Sequence, residues 1–340
     1  MTVHGMVIRH LLHFSVTELG FAQNDSVRIP AQPPKALRRG NVGSGGSVEG
    51  MPINAQLLDN PKSDRVRRIA DLTRTKGRRK SGRFLVEGPQ SVREAIRYAS
   101  DVITDIYVAG DEEGIDSDVL ADIAQRAIDA STDLYVHTAT REVIDHISPD
   151  AQGIIAVGDT DKLRAGMDAK VENATGRPKG MRVAAFWQVR DPGNAGTVIR
   201  AADAAGCDVV VFVDDCVDML NPKVIRSTTG SLFHIPVITM GTREFFDWME
   251  QQGLDVWAAD VYGTRKRKPE RLPDVLDAMR EEGRRGEGYA VLFGNEARGL
   301  NAKTIEQCQR VVTIPLYGKA ESLNLATSAA VILMSLAFLR

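Results

Sequence analysis

Val183–Arg200, VAAFWQVRDPGNAGTVIR, runs from an apolar strand through a tight turn into a helix. Val183–Val189 is too continuously apolar for a half-exposed strand and reads as one buried on both faces. Asp191–Gly196 (DPGNAG) supplies Pro and Gly for the turn and Asn194 as a polar group near the helix start, and a helix follows over Ala195–Ala205. Further apolar runs fall at Val209–Val213, Ile235–Ile238, Val256–Ala259, Ala290–Phe293 and Val311–Ile314. Helical stretches separate them at Pro222–Ser227, Arg243–Gln251 and Lys303–Gln309, and Leu325–Leu339 closes the chain. This alternation predicts an α/β domain on a parallel sheet covered on both faces.

Upstream, Lys62–Arg83 holds ten Lys or Arg residues against two acidic ones, Asp64 and Asp71, the densest positive stretch of the chain. Val66, Ile69, Ala70 and Leu72 recur at helical spacing there, and Thr73–Gly82 reads as an exposed loop. Short strands and helices then alternate from Phe84 to Val157, which predicts a second, smaller α/β layer domain. Arg78, Arg79 and Lys80 on the basic loop are candidate RNA-phosphate contacts; the alternative is a solvated surface. Asp159–Gly180, charged and ending in Gly and Pro, has no clear apolar face and reads as a linker. Residues 1–50, with Pro30, Pro33 and Pro34 before a Gly- and Ser-rich stretch, are expected to be a disordered leader. Met51 offers an alternative translation start. The expected organisation is a leader at 1–50, a small domain at 51–158, a linker at 159–180 and a larger domain at 181–340.

A chain of 340 residues suits about two domains of roughly 150 residues each. Hydrophobic content of 43% and charged content of 26% are those of a globular protein. The net charge of −2 leaves room for RNA binding, which needs only a local basic surface. Cys207, Cys216 and Cys308 lack metal-ligand spacing and are odd in number, so neither a zinc site nor a disulfide framework is expected, and a cytoplasmic location fits. Arg9, His10 and His13 interrupt the apolar stretch Met6–Phe14, against a secretion signal. Leu323–Leu339 carries Asn324, Thr327, Ser328 and Ser335 and is short for a membrane span, so it reads as a buried helix. The turn at Asp191–Gly196 lacks G-x-G-x-x-G, against a dinucleotide-binding oxidoreductase.

Three segments, in order, resemble the three motifs of the SpoU (TrmH-like) branch of the SPOUT methyltransferases: Val189–Arg200, Leu292–Leu300 (LFGNEARGL) and Ile314–Thr327 (IPLYGKAESLNLAT). Asn221–Val237 is also similar to the family. Arg83–Gly88 (RFLVEG) and Gln152–Gly158 (QGIIAVG) resemble the L30e-like substrate-binding domain that precedes the catalytic domain in many members. The resemblance implies a C-terminal SPOUT domain closed by a deep trefoil knot, a homodimer, and methylation of a ribose 2′-hydroxyl in structured RNA with S-adenosylmethionine as cofactor. It implies cofactor contacts at Gly294, Asn295, Ile314, Leu316 and Leu323, and catalytic roles for Asn194, Arg200, Glu296, Ser322 and Asn324. The separate N-terminal domain favours 23S ribosomal RNA over transfer RNA, whose minimal methyltransferases in this family often lack one.

Each of these residues also has a plainer reading. Asn194, Ser322 and Asn324 suit helix capping. Arg200 suits a surface ion pair with Asp203, or a phosphate, because a guanidinium among small and apolar neighbours needs an anion. As a catalytic group it is either an activated base or the cation that stabilises a developing alkoxide. Glu296 is a surface carboxylate or one that holds the arginine or the ribose. Arg226 is an RNA-phosphate contact or a structural cation. For the whole chain the rivals are a transfer-RNA methyltransferase, a SPOUT enzyme that methylates a base nitrogen, and a non-catalytic RNA-binding protein that keeps the fold.

Overall fold

In the computed structural model, which describes residues 53–175, 180–284 and 286–339, the chain builds two sheets. The leader expected at 1–50 and the alternative start at Met51 lie outside the described residues.

The N-terminal lobe is a five-stranded sheet of β1 (Ile53–Leu58), β2 (Arg83–Glu87), β3 (Ile103–Ala109), β4 (Tyr135–Ala139) and β5 (Ile154–Asp159), in the order β1-β4-β3-β5-β2. β1, β4 and β3 run parallel, and β5 is antiparallel to both β3 and β2. Its helices are α1 (Asp64–Ala70), α2 (Thr75–Ser81), α3 (Pro89–Ala99), α4 (Asp118–Ala130) and α5 (Arg141–Ile147). Ser63, Ser117 and Thr140 start α1, α4 and α5 by accepting a hydrogen bond from the backbone N–H three residues on. The stretch Thr73–Gly82, expected as a loop, is largely the helix α2. It has no apolar face, and its one buried side chain is Arg78.

The segment expected as a linker is mostly a helix, α6 (Thr160–Thr175), which buries Leu163, Met167 and Ala174 at wide intervals. Three apolar side chains in 16 residues are too sparse to show as a face in the sequence.

The C-terminal lobe carries β6 (Arg182–Trp187), β7 (Val209–Val213), β8 (Val237–Met240), β9 (Val256–Ala259), β10 (Pro269–Arg271), β11 (Tyr289–Phe293) and β12 (Arg310–Thr313). They lie in the order β10-β12-β9-β11-β6-β7-β8, every pair parallel. The helices are α7 (Pro192–Ala204), α8 (Pro222–Thr228), α9 (Thr242–Gln251), α10 (Leu272–Glu281), α11 (Ala302–Gln307) and α12 (Leu325–Ala337). Alternate residues of each strand serve the two faces. Val183, Ala185, Val209 and Val211 pack with Phe245 and Met249 of α9. Ala184, Phe186, Val210 and Phe212 pack with α7, α8 and α12 on the other face, in an apolar core continuous with that of the N-terminal lobe. This is the expected parallel sheet.

β6, β7 and β8 step outward in one direction, whereas β9 and β11 lie on the other side of β6. The order therefore reverses at β6 and β11, and a crevice opens beyond the carboxyl ends of the strands at such a point. α12 buries Leu325, Ala326, Ala329, Ile332, Leu333 and Leu336. Val331 remains 36% exposed and the adjoining Phe338 74% exposed, so the helix expected to be buried keeps one apolar flank open.

Candidate active site

A cleft of about 330 Å³ opens on the β11 side of that reversal, between the turns that follow β9, β11 and β12. Gly294, Asn295, Ile314, Leu316 and Leu323, the five residues expected to meet the cofactor, all line it, and so do Glu296 and Ser322. Phe293, Val312 and Ile332 give it an apolar wall, and Asp260 and Glu321 add carboxylates.

The turn after β11 is fixed by its own backbone and by Asn295. Asn295 and Gly299 exchange hydrogen bonds, Gly299 N–H donating at 2.8 Å and Asn295 N–H at 3.3 Å. The Asn295 side-chain oxygen accepts from the amides of Ala297 (3.0 Å) and Arg298 (3.2 Å), and its Nδ2 donates to the carbonyl of Gln188 at 2.7 Å. Asn295 is buried, so these bonds satisfy a polar group that would otherwise oppose folding. A Cβ at Gly294 would lie 2.4 Å from the carbonyl carbon of Gly299 and 2.5 Å from the amide of Leu300. Glycine is required there because the turn folds back on itself; room for a ligand, the reason its position suggests, is not needed to explain it.

At the mouth of the cleft, α7 presents Asn194. The N-cap of α7 is Asp191, which accepts from Asn194 N–H at 2.7 Å, with Pro192 at the first helical position. The cap suggested for Asn194 therefore belongs to Asp191, and the side chain of Asn194 is released for other contacts. Its Nδ2 donates to Glu296 Oε1 at 3.4 Å, and its Oδ1 accepts from Asn324 Nδ2 at 3.0 Å. Glu296 Oε1 also accepts from Asp191 N–H at 3.3 Å, and Oε2 from Asn295 Nδ2 at 3.3 Å. Asn324 caps α12, its Oδ1 accepting from Ala326 N–H at 2.8 Å and Thr327 N–H at 3.4 Å. All three motif segments thus meet in one chain of polar contacts, Asn324–Asn194–Glu296–Asn295.

Arg200, two turns further along α7, is exposed. It has no hydrogen-bond or ion-pair partner among the described residues. Asp203 does not hold it: Asp203 Oδ2 is 2.8 Å from His234 Nδ1 instead. Nor does Glu296, whose bonds go to Asn194, Asn295 and the Asp191 amide. An exposed guanidinium with no partner of its own is set up to meet an anion. Ser322 lines the cleft and caps no helix; the cap is Asn324.

Two residues expected at the RNA surface are elsewhere. Arg78 is 4% exposed, and its Nη2 lies 2.5 Å from Asp218 Oδ2 while its Nη1 donates to the carbonyls of Leu72 (2.9 Å) and Thr73 (3.1 Å). It is an interior cation that joins the lobes, with its donors committed to protein. Arg226 is likewise engaged, pairing with Glu87 and, at 2.8 Å, with Asp150. Arg79 and Lys80 stay exposed on α2.

Sequence reading missed Asp191, although Asp before Pro at a helix start is a capping signature. It also missed Tyr262 and Asp260, which rim the cleft from the β9 turn and carry no signal short of the fold itself. Burial pushes the Cys216 thiol up to about 11 and that of Cys308 up to about 12, so neither is a ready nucleophile at neutral pH. Among the described residues no group of His, Cys, Asp or Glu is arranged to hold a metal, and no helix is long and apolar enough to cross a membrane.

Comparison with known proteins places this geometry. Residues 181–334 match the SpoU rRNA methylase family and residues 63–156 the MRM3-like substrate binding domain. The chain is 32% identical to the 23S rRNA (guanosine(2553)-2′-O)-methyltransferase RlmP of Bacillus subtilis, over 82% of this chain and 98% of that protein. It is 30% identical to the 23S rRNA (guanosine-2′-O-)-methyltransferase RlmB of Bordetella pertussis, over 73% of this chain and 94% of that one. An AdoMet-bound rRNA methyltransferase from Sinorhizobium meliloti superposes with a TM-score of 0.64 at 24% identity, over 84% of this chain and 98% of that chain.

Proposed function

The chain belongs to the SpoU rRNA methylase family, and from that premise we propose that it methylates a ribose 2′-hydroxyl of 23S ribosomal RNA with S-adenosylmethionine as methyl donor. The observation that carries this reading is the convergence of Asn324, Asn194 and Glu296 at the mouth of a cleft lined by Gly294, Ile314 and Leu323, with unpartnered Arg200 on the same helix as Asn194.

The cleft suits the cofactor. An apolar wall of Phe293, Val312 and Ile332 accommodates a nucleobase, and the backbone turns at the carboxyl edge of the sheet suit a polar sugar and chain. When bound, S-adenosylmethionine would supply an electrophilic methyl group on a sulfonium sulfur and leave as the neutral thioether, with the proton of the ribose hydroxyl passing to Glu296. Glu296, held by Asn194 and by the Asp191 amide, has its carboxylate oriented to accept a hydrogen bond from the ribose. The part of Arg200 is to bind the adjacent phosphate through its guanidinium donors and stabilise negative charge developing on the ribose oxygen. Asn324 and Ser322 bring the α12 turn up to the same point. Because Asn324 is bonded to Asn194, a shift of this turn moves the acid–amide pair with it.

The same reading assigns residues 51–158 to RNA docking, 159–180 to the connection and 181–340 to catalysis. It includes a trefoil knot formed where the chain passes from β12 through Ile314–Asn324 into α12. It also includes a homodimer, supported by the open apolar flank of α12 at Val331 and Phe338 and by the 86% exposed Tyr317 beside it. A cytoplasmic location follows from the ribosomal substrate. The test is transfer of labelled methyl from S-adenosylmethionine to 23S ribosomal RNA and, in parallel, to transfer RNA. Label in the ribosomal RNA is the expected result; label confined to transfer RNA contradicts the substrate, and cofactor binding without label in either contradicts the enzyme.

A further inference from the structure

Immediately beyond β9 the chain forms a loop, Asp260–Lys268 (DVYGTRKRK), that carries four consecutive cations. Its first residues, Asp260, Val261 and Tyr262, make one rim of the cleft. The loop is held by its own bonds. Asp260 Oδ1 accepts from the amides of Tyr262 (2.9 Å) and Gly263 (2.7 Å). Thr264 Oγ1 accepts from the amides of Lys266 (3.2 Å) and Arg267 (3.0 Å), and Thr264 N–H donates to the Arg267 carbonyl at 2.8 Å. Gly263 sits at φ +61°, and a Cβ there would stand 2.2 Å from that carbonyl oxygen, so the turn closes only on glycine.

This frame sorts the cations. Lys266 pairs with Glu306 at 3.3 Å, and Arg267 donates to the Gln309 carbonyl at 3.2 Å, which pins the loop to the end of α11. Of the neighbouring carboxylates, Glu270 is taken by Arg310 at 3.2 Å and Asp260 accepts from the loop's own amides. Arg265 and Lys268 are exposed and have no hydrogen-bond or ion-pair partner among the described residues. Tyr262, on the cleft side of them, is 76% exposed. An exposed aromatic ring beside uncompensated cations on a preorganised loop is the combination that binds single-stranded nucleic acid, by base stacking and phosphate attraction together.

We infer that this loop is a second RNA-docking element, carried by the catalytic lobe, in which Tyr262 stacks on an unpaired base near the reacting ribose and Arg265 and Lys268 bind the flanking phosphates. The inference rests on the RNA-methylation reading and deepens it: the substrate presents a single-stranded segment at the cleft, whatever the N-terminal lobe holds. Because the loop is already fixed, little ordering cost accompanies binding.

The experiment titrates the full chain with a short labelled oligouridine between about 50 and 200 mM salt. In the Arg265→Ala/Lys268→Ala variant the plot of log affinity against log salt becomes shallower by about 1.4, which is about 0.7 for each single-strand phosphate that the variant no longer neutralises. Tyr262→Ala weakens binding by about five-fold or more at every salt concentration, and Tyr262→Phe keeps it. An unchanged slope overturns the role of the cations, and equal affinity in Tyr262→Ala and wild type overturns the stacking. Calorimetry with S-adenosylmethionine gives the double variant wild-type affinity; loss of that affinity assigns the cations to the cofactor and overturns the inference. If the wild-type chain fails to methylate ribosomal RNA while the slope still changes, the proposed reaction fails and the docking loop stands, so the two failures are distinct.

Discussion

Asn324 serves two purposes through one amide: its oxygen caps α12 while its nitrogen holds Asn194 at 3.0 Å. Substitution separates them. Asn324→Asp retains the acceptor that caps the helix but has no donor for Asn194, so it keeps the melting temperature close to wild type and lowers kcat. Asn324→Ala removes both and costs about 1 kcal/mol of stability as well. Thermal unfolding and methyl transfer measured on the two variants check this; equal turnover in Asn324→Asp and wild type contradicts the link to Asn194. In the N-terminal lobe, burial alone would push the Asp105 carboxyl up, but hydrogen bonds from His137 and Thr104, with the charges of His137 and Arg83, hold it below its ordinary value. The native state therefore favours the carboxylate more than the unfolded chain does. Its contribution is complete above the unfolded pKa of about 3.9 and fades as pH falls through the lower native value. Asp105→Asn should lose stability to urea at neutral pH, with the gap to wild type narrowing in acid; a constant gap contradicts it.

At the scale of elements, α2 shows what periodicity cannot reveal. Its only buried side chain is an arginine, and the partner, Asp218, lies 140 positions away in the chain, so a stretch that reads as a basic surface loop is partly an internal joint. Arg78→Ala should therefore cost about 3 kcal/mol by leaving Asp218 and two carbonyls unpaired. Arg79→Ala/Lys80→Ala should leave stability within about 0.5 kcal/mol and instead flatten the salt dependence of binding to duplex RNA by about 1.8. Urea unfolding and binding titrations distinguish the pairs, and equal loss of stability in both contradicts the sorting. The strands of the C-terminal sheet were legible within two residues because continuous Val, Ala and Phe runs have no other stable use. β10, three residues long, gave too short a signal. α10 had the signal, with Leu272, Val275, Leu276 and Met279 buried at helical spacing, and the reading passed over it. That Gly294, Asn295, Ile314, Leu316 and Leu323 would share one cleft was suggested only by the family resemblance. The contacts that join Asn194, Glu296 and Asn324 span up to 130 positions and belong to the fold.

For the molecule as a whole, the two lobes share one apolar core and are tied by polar contacts among the described residues: Arg78 to Asp218, Arg226 to Glu87 and Asp150, and His234 to Glu94 at 3.2 Å. The basic surface of α2 is thereby held in a fixed relation to the cleft, so under the proposed function RNA docked on the first lobe would meet the second at a set distance. In the proposed reaction, turnover then depends on which ribose reaches Arg200. The most direct test maps the methyl group itself: 23S ribosomal RNA lacking the modification is incubated with labelled S-adenosylmethionine and either wild-type protein or Arg200→Ala, then hydrolysed in alkali. One alkali-resistant linkage carrying label with wild-type protein, and none with Arg200→Ala although it still binds the cofactor, is the predicted result. Label on a base, or an Arg200→Ala variant as active as wild type, would contradict the account.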